Sequence, residues 1–124
     1  VSYGREYITG GRTKIATVPA GYADGYTRNL AGRASVELAG GERAKIIGRI
    51  CMDQCMIDVT NVNNISAGDE VTLFGSRGIT ADDIARWADT INYEVICLVS
   101  KRIPRVYKEG GRIKLVRNYL DELS

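Results

Sequence analysis

Apolar and polar positions alternate in short runs along most of this chain, and only one stretch carries a helical period. Ile84, Trp87, Ala88 and Ile91 recur at i, i+3, i+4 and i+7, one face of about three helical turns. Thr80 stands just before that run with Asp83 three residues on, a hydroxyl and a carboxylate placed where the free N–H groups of a first turn need acceptors. The pattern predicts a short helix over about residues 80–90, and a second short helix is expected near residues 118–123. Elsewhere the runs 14–18, 35–38, 44–50, 55–59, 70–74, 94–99 and 112–116 are rich in β-branched and apolar residues. Turn signals such as Gly40-Gly41, Asn63-Asn64, Gly68-Asp69 and Gly110-Gly111 separate them. Such a chain predicts a mainly β fold, a small β-barrel-like domain of short strands with one clear helix.

Composition narrows this picture without redrawing it. At 124 residues, 44% hydrophobic and 26% charged, the chain suits one soluble globular domain spanning residues 1–124. Its 14 glycines fall in turns and form no repeat, which excludes a solenoid. Seventeen Lys and Arg against 15 Asp and Glu leave a net charge of +2, too slight to argue for nucleic acid or an anionic membrane as partner. No apolar run approaches a membrane span, and no signal-peptide pattern opens the chain, so a cytoplasmic protein is expected. Val1 begins already in strand-like sequence, as in a domain taken from a larger protein. The three cysteines, Cys51, Cys55 and Cys97, lack the spacing of a metal knuckle, and the chain has no histidine to complete one. Buried free thiols, and no metal, are expected.

The missing histidine also removes the commonest general base and any Ser-His-Asp arrangement. No phosphate-cradling glycine loop is present either, since Gly21-Tyr22-Ala23-Asp24-Gly25 has the spacing of a turn. Asp24 is accordingly expected to be a turn residue. What remains conspicuous is tyrosine, seven against one phenylalanine. Several stand beside glycine, charge or turn residues: Tyr3 before Gly4, Tyr22 and Tyr26 around Ala23-Asp24-Gly25, and Tyr93 between Asn92 and Glu94.

The segments holding those tyrosines carry a family resemblance. Val1-Ser2-Tyr3-Gly4, Pro19-Ala20-Gly21-Tyr22-Ala23-Asp24-Gly25-Tyr26, Gly48-Arg49-Ile50-Cys51-Met52-Asp53-Gln54, Thr90-Ile91-Asn92-Tyr93-Glu94-Val95 and Arg102-Ile103-Pro104-Arg105 occur in this order. Order and intervals together resemble the β-rich C-terminal domain of alanine racemases, and much of the signature is shared with the serine racemase domains of vancomycin-resistance systems. The resemblance implies a head-to-tail homodimer. In it a (β/α)8 barrel, absent from this chain, carries pyridoxal phosphate on a lysine, and the C-terminal domain of the other subunit completes the site. It further implies interconversion of L- and D-alanine for peptidoglycan precursors, with this chain inactive alone.

Residue by residue, the resemblance makes Tyr3 the catalytic tyrosine that exchanges the α-proton on the L-alanine face. Met52 matches the residue whose backbone helps bind the substrate carboxylate. Tyr22 and Tyr93 match tyrosines at the site entrance, the latter reaching the cofactor phosphate, and Arg28, Arg49, Asp53 and Ile91 match positions lining or supporting that entrance. Asp53 is expected to hold an arginine or a backbone amide and to transfer no proton. Two alternatives stand beside this reading: serine as the substrate, and a small β-barrel module binding nucleic acid or another ligand. The low charge and the absence of aromatic residues arrayed along a strand weigh against the second.

Overall fold

The computed structural model describes Val1 and residues 8–121. Five short strands come first: β1 (Ile15–Val18), β2 (Ser35–Leu38), β3 (Arg43–Ile47), β4 (Cys55–Asp58) and β5 (Val71–Thr72). Helices α1 (Ala81–Ala88) and α2 (Asn92–Cys97) follow, then strands β6 (Arg105–Glu109) and β7 (Arg112–Arg117). The first five strands form one antiparallel sheet in the order β1-β4-β3-β2-β5, curled into a half-barrel, while β6 and β7 pair with each other. This is the mainly β, barrel-like architecture that the alternation predicts.

The alternation sorts the side chains by face. Val36 and Leu38 of β2, Ala44 and Ile46 of β3, and Cys55 and Ile57 of β4 are buried, while Arg43 and Lys45 are exposed. Ile57 lies opposite both Ala16 of β1 and Ile46 of β3, which places it at the centre of the sheet. Leu30, Ala34, Ile79, Ile84, Ala85, Ala88 and Val95 close the core from the helical side. Each large apolar side chain so buried contributes roughly 1.5–3 kcal/mol.

Helix α1 begins as its sequence dictates. The Thr80 hydroxyl accepts from the Asp83 amide at 3.3 Å, and the Asp83 carboxylate accepts from the Thr80 amide at 2.8 Å. That amide, with Arg86 at 2.8 Å, holds the Asp83 carboxyl below the usual carboxylate range. The helix stops at Asp89, which is left-handed at φ 58°. Its last carbonyls are met from the turn at residues 28–33: Asn29 donates to the Ala88 carbonyl at 2.6 Å and Arg33 to that of Trp87 at 2.9 Å.

The structure departs from the sequence reading in four places. Residues 94–99, expected as a strand, belong mostly to α2: an apolar run of this length suits strand and helix equally, and docking against α1 decides for the helix. Ile91 is not on the buried face of α1, which ends three residues earlier; it caps α2 and is 63% exposed. Cys51 and Cys55 are buried free thiols as expected, but Cys97 is free and exposed on the outer side of α2. Near the C-terminus residues 119–120 form a turn that enters a 3-10 helix at Asp121, and the rest of the expected helix lies outside the described residues.

Burial of the thiol and phenol behind β4 makes alkaline stability a direct check on this core. Desolvation, then the neighbouring Cys51, pushes the Cys55 thiol up to about 12; desolvation and Cys55 likewise push the Tyr26 phenol upward. Among the described residues the Tyr26 hydroxyl has no hydrogen-bond partner. The unfolded chain would release these protons first, so stability is complete below about pH 9 and falls as pH rises towards 12. Denaturant titrations between pH 8 and 11 should show a loss approaching about 1.4 kcal/mol per pH unit for each such group, and Cys55→Ala should reduce the slope. An unchanged slope in that variant would contradict the assignment.

Candidate active-site surface

Three loops are laced together at the end of the sheet where β1 ends and β4 begins. Residues 19–26 follow β1 and fold into a 3-10 turn over Tyr22–Asp24. One carboxylate oxygen of Asp24 accepts from the Gly21 amide at 2.9 Å, and the Asp24 amide returns a bond to the Gly21 carbonyl at 3.0 Å. This turn leans on the second loop, residues 48–54. The Tyr22 amide donates to the Cys51 carbonyl and the Ala23 amide to the Met52 carbonyl, each at 3.0 Å. Approach is so close that a Cβ on Gly21 would lie 2.1 Å from the Cys51 carbonyl oxygen.

Those two bonds fix the peptides on both sides of Met52. In a trans peptide the N–H points opposite to the C=O, so with the Cys51 carbonyl aimed at Tyr22 the Met52 N–H is aimed away from the 19–26 loop. A backbone donor held in this way needs no reorganisation to meet a carboxylate. Met52 is 47% exposed, which excludes a core role for its side chain.

The third loop, residues 98–105, closes the cluster. The Ser100 amide donates to the Asp24 carbonyl at 3.0 Å. Gly25 stands against the Leu98 carbonyl, where a Cβ would come within 2.2 Å, and its φ of 105° is a further reason for glycine. Arg102 then bridges the other two loops, with Nε 3.0 Å from Asp24 and Nη2 2.7 Å from Asp53. The half-exposed Asp53 pair is screened and adds little stability; its consequence is registry, since one guanidinium joins segments far apart in sequence. Arg105 fastens its own loop by donating to the carbonyls of Val99, Ser100 and Ile103 at 2.7–3.0 Å.

The candidate residues distribute over this surface unevenly. Tyr22, Met52 and Asp53 are brought together, and Asp53 holds an arginine as expected. Asp24 is a turn residue as expected and also an ion-pair partner. Tyr93 and Ile91 lie on the corner between α1 and α2, exposed, around a shallow recess of about 410 Å³ with Asp82, Arg86 and Asn92. The other end of α2 meets the loops at Leu98, whose carbonyl stands against Gly25. Arg28 is exposed on the 3-10 turn Arg28–Leu30, and Arg49 is half-buried in the second loop. Tyr3 lies outside the described residues. Arg102 and Arg105 stand in one of the resembling segments, but no role for either follows from the sequence; their signal is the partners they meet in space.

Two features contribute nothing to this surface. A cavity of about 600 Å³ lies at the opposite end of β1 and β4 between Ile15, Leu38, Val59, Ile65 and Val71, and holds none of the candidate residues. No group of His, Cys, Asp or Glu among the described residues could hold a metal ion, and none of their helices is long and apolar enough to cross a membrane.

Comparison with known proteins agrees with the geometry. A family model for the alanine racemase C-terminal domain matches residues 1–107. Alanine racemase 1 of Clostridium acetobutylicum is 53% identical over 123 residues, covering 97% of this chain and 32% of that protein. The alanine racemase of Desulfovibrio desulfuricans is 57% identical over 109 residues, covering 88% of this chain and 29% of its own. The solved structure of Clostridium difficile 630 alanine racemase in complex with cycloserine aligns with a TM-score of 0.90 at 47% identity, covering 97% of this chain and 32% of that one. That of Bacillus anthracis alanine racemase with bound L-Ala-P gives 0.89 at 39% identity, covering 98% and 31%. This chain therefore spans about a third of the length of the relatives it matches. With its core half-barrel, its three laced loops and residues 1–107 all matched, the chain belongs to the alanine racemase C-terminal domain family.

Proposed function

We propose that this domain completes the active site of a pyridoxal-phosphate-dependent alanine racemase, a cytoplasmic homodimer that interconverts L- and D-alanine for peptidoglycan precursors. Its partner is the (β/α)8 barrel of the other subunit, and alone it is inactive. The observation that carries this reading is the joining of loops 19–26, 48–54 and 98–105 into one exposed rim that presents Tyr22 and the backbone of Met52. Alanine is preferred to serine because the matched relatives are alanine racemases.

The rim suits the edge of the cofactor and not its anchor. Tyr93 offers an exposed phenol able to donate to a phosphate oxygen. Lys101, beside the rim, is turned onto the ring of Tyr119 at 5.9 Å, and on this reading the lysine that holds the cofactor is the barrel's. When bound, pyridoxal phosphate supplies the electron sink that makes the α-proton of an amino acid removable.

The residues of this chain then position the substrate and move one proton. The Met52 N–H, aimed by its pinned peptides, receives the substrate carboxylate. Tyr22 and Tyr93 narrow the approach, with Arg28, Arg49, Asp53 and Ile91 around them. The Tyr3 hydroxyl takes or returns the proton on the L face of the α-carbon, while the barrel lysine serves the opposite face. A phenol ordinarily titrates near 10, so this task asks for about 4 kcal/mol of preferential phenolate stabilisation, supplied by cations or donors of the assembled site.

Complementation tests the proposal. Mixing this chain with the barrel region of the Clostridium acetobutylicum relative, at a concentration where the two associate, should produce racemisation that neither shows alone. Association of two folded partners without racemisation would overturn it, as would racemisation by this chain alone.

A further inference from the structure

The β6–β7 hairpin stands apart from the rest of the domain. It shares no sheet with β1–β5, every residue of β7 is exposed, and so is β6 beyond Arg105. A two-stranded hairpin on its own is marginal in water. This one is also apolar on both faces. Tyr107 lies opposite Leu115 and Val106 opposite Val116, so alternation puts Tyr107 and Leu115 on one face and the two valines on the other, while past a bulge Ile113 lies opposite Lys108. All five are 49–62% exposed. A sheet meant for solvent keeps one polar face; apolar residues on both belong to strands that are covered on both sides.

Its charge and root narrow what covers it. Residues 105–117 hold five cations against one carboxylate, so the hairpin alone exceeds the net +2 of the whole chain. Two copies meeting through this element would set like charges together, which disfavours self-pairing. The base of the hairpin is fixed to the active-site rim, by the Arg105 bonds to residues 99–103 and by Tyr119, whose ring lies under Arg117 at 4.8 Å and Lys101 at 5.9 Å. The Clostridium acetobutylicum relative aligns over 97% of this chain, hairpin included, and has two-thirds of its length beyond it.

We infer that the β6–β7 hairpin is a docking arm whose apolar faces are covered by an apolar, acid-flanked surface in the part of the racemase polypeptide that this chain does not span. The inference rests on the reading of the chain as one domain of a racemase. Because the arm is rooted in the loop that carries Arg102, docking it orients the rim that presents Tyr22 and Met52.

Amide hydrogen exchange in a racemase-length protein, made by joining this sequence to the barrel region of the Clostridium acetobutylicum relative, tests the inference against this chain alone. Amides of residues 105–117 should exchange about 100-fold or more slowly in the longer protein. Leu115→Asp should remove that protection while Ile46 and Ile57 stay protected, which shows that the fold survives. Equal hairpin exchange in the two proteins would overturn the inference. So would protection in this chain alone that grows with its concentration, the mark of a second copy, or protection that appears only with single-stranded oligonucleotide or anionic vesicles. Protection without racemisation would keep the docking arm and sink the racemase reading; racemisation with an unprotected hairpin would do the reverse.

Discussion

Replacing Tyr3 by phenylalanine is expected to lower alanine racemisation by the assembled enzyme about a thousandfold, within the range that a positioned acid or base contributes. Such a fall corresponds to about 4 kcal/mol of transition-state stabilisation. Phenylalanine keeps the ring and removes only the oxygen that carries the proton, so KM should change little while kcat falls. The carboxylate contact assigned to the Met52 backbone is independent of that oxygen and survives the substitution. A loss of less than about tenfold in kcat would mean that another group serves the L face.

The second large effect is expected at Gly21, and on stability. Its backbone, at φ −148° and ψ −163°, is extended and open to any residue, so the cost of alanine there is purely steric. The added Cβ would stand 2.1 Å from the Cys51 carbonyl oxygen and 2.5 Å from that of Met52, both of them backbone atoms with no rotamer to yield. Relief requires the two loops to part, which breaks the bonds from Tyr22 and Ala23 and buries strain. Gly21→Ala should therefore destabilise the domain by at least about 3 kcal/mol, from overpacking and two lost hydrogen bonds. At Gly10 an added Cβ meets nothing within 4 Å, so Gly10→Ala in the same denaturant titration should stay within about 0.5 kcal/mol of the parent. A Gly21→Ala domain as stable as the Gly10 variant would show that the loops are not locked as described.

Both effects concern segments that are readable in the sequence, and the contrast with what is not readable is physical. Helix α1 announces itself because its start is chemical as well as periodic, with Thr80 and Asp83 each supplying what the other needs. Strands β2 to β4 announce themselves through a period of two with one buried face. Helix α2 does not, because six residues are too few to show a helical period, and the run Val95 to Val99 has the look of a buried strand. The tyrosines show the same limit. Tyr22 and Tyr26 flank one turn, yet Tyr22 is 40% exposed and Tyr26 is buried, a difference set by the packing of β4 behind the turn.

The candidate site was legible as a set of short segments and not as an arrangement. Nothing local marks Arg102, whose partner Asp53 is 49 residues away, or Gly25, whose constraint is a carbonyl at the end of α2. Long-range contacts of this kind exist only once the half-barrel has brought its loop ends together. The hairpin illustrates the converse. Residues 112–116 read as an ordinary apolar strand, and only the structure shows that the apolar side chains of the hairpin stay exposed among the described residues.

Which face of the substrate each proton carrier serves can be read directly from deuterium exchange at the α-carbon. In deuterium oxide the assembled Tyr3→Phe enzyme should still exchange the α-proton of D-alanine, through the barrel lysine, and should no longer exchange that of L-alanine. Retained exchange from L-alanine, or parallel loss from both enantiomers, would contradict the placement of the Tyr3 hydroxyl on the L face.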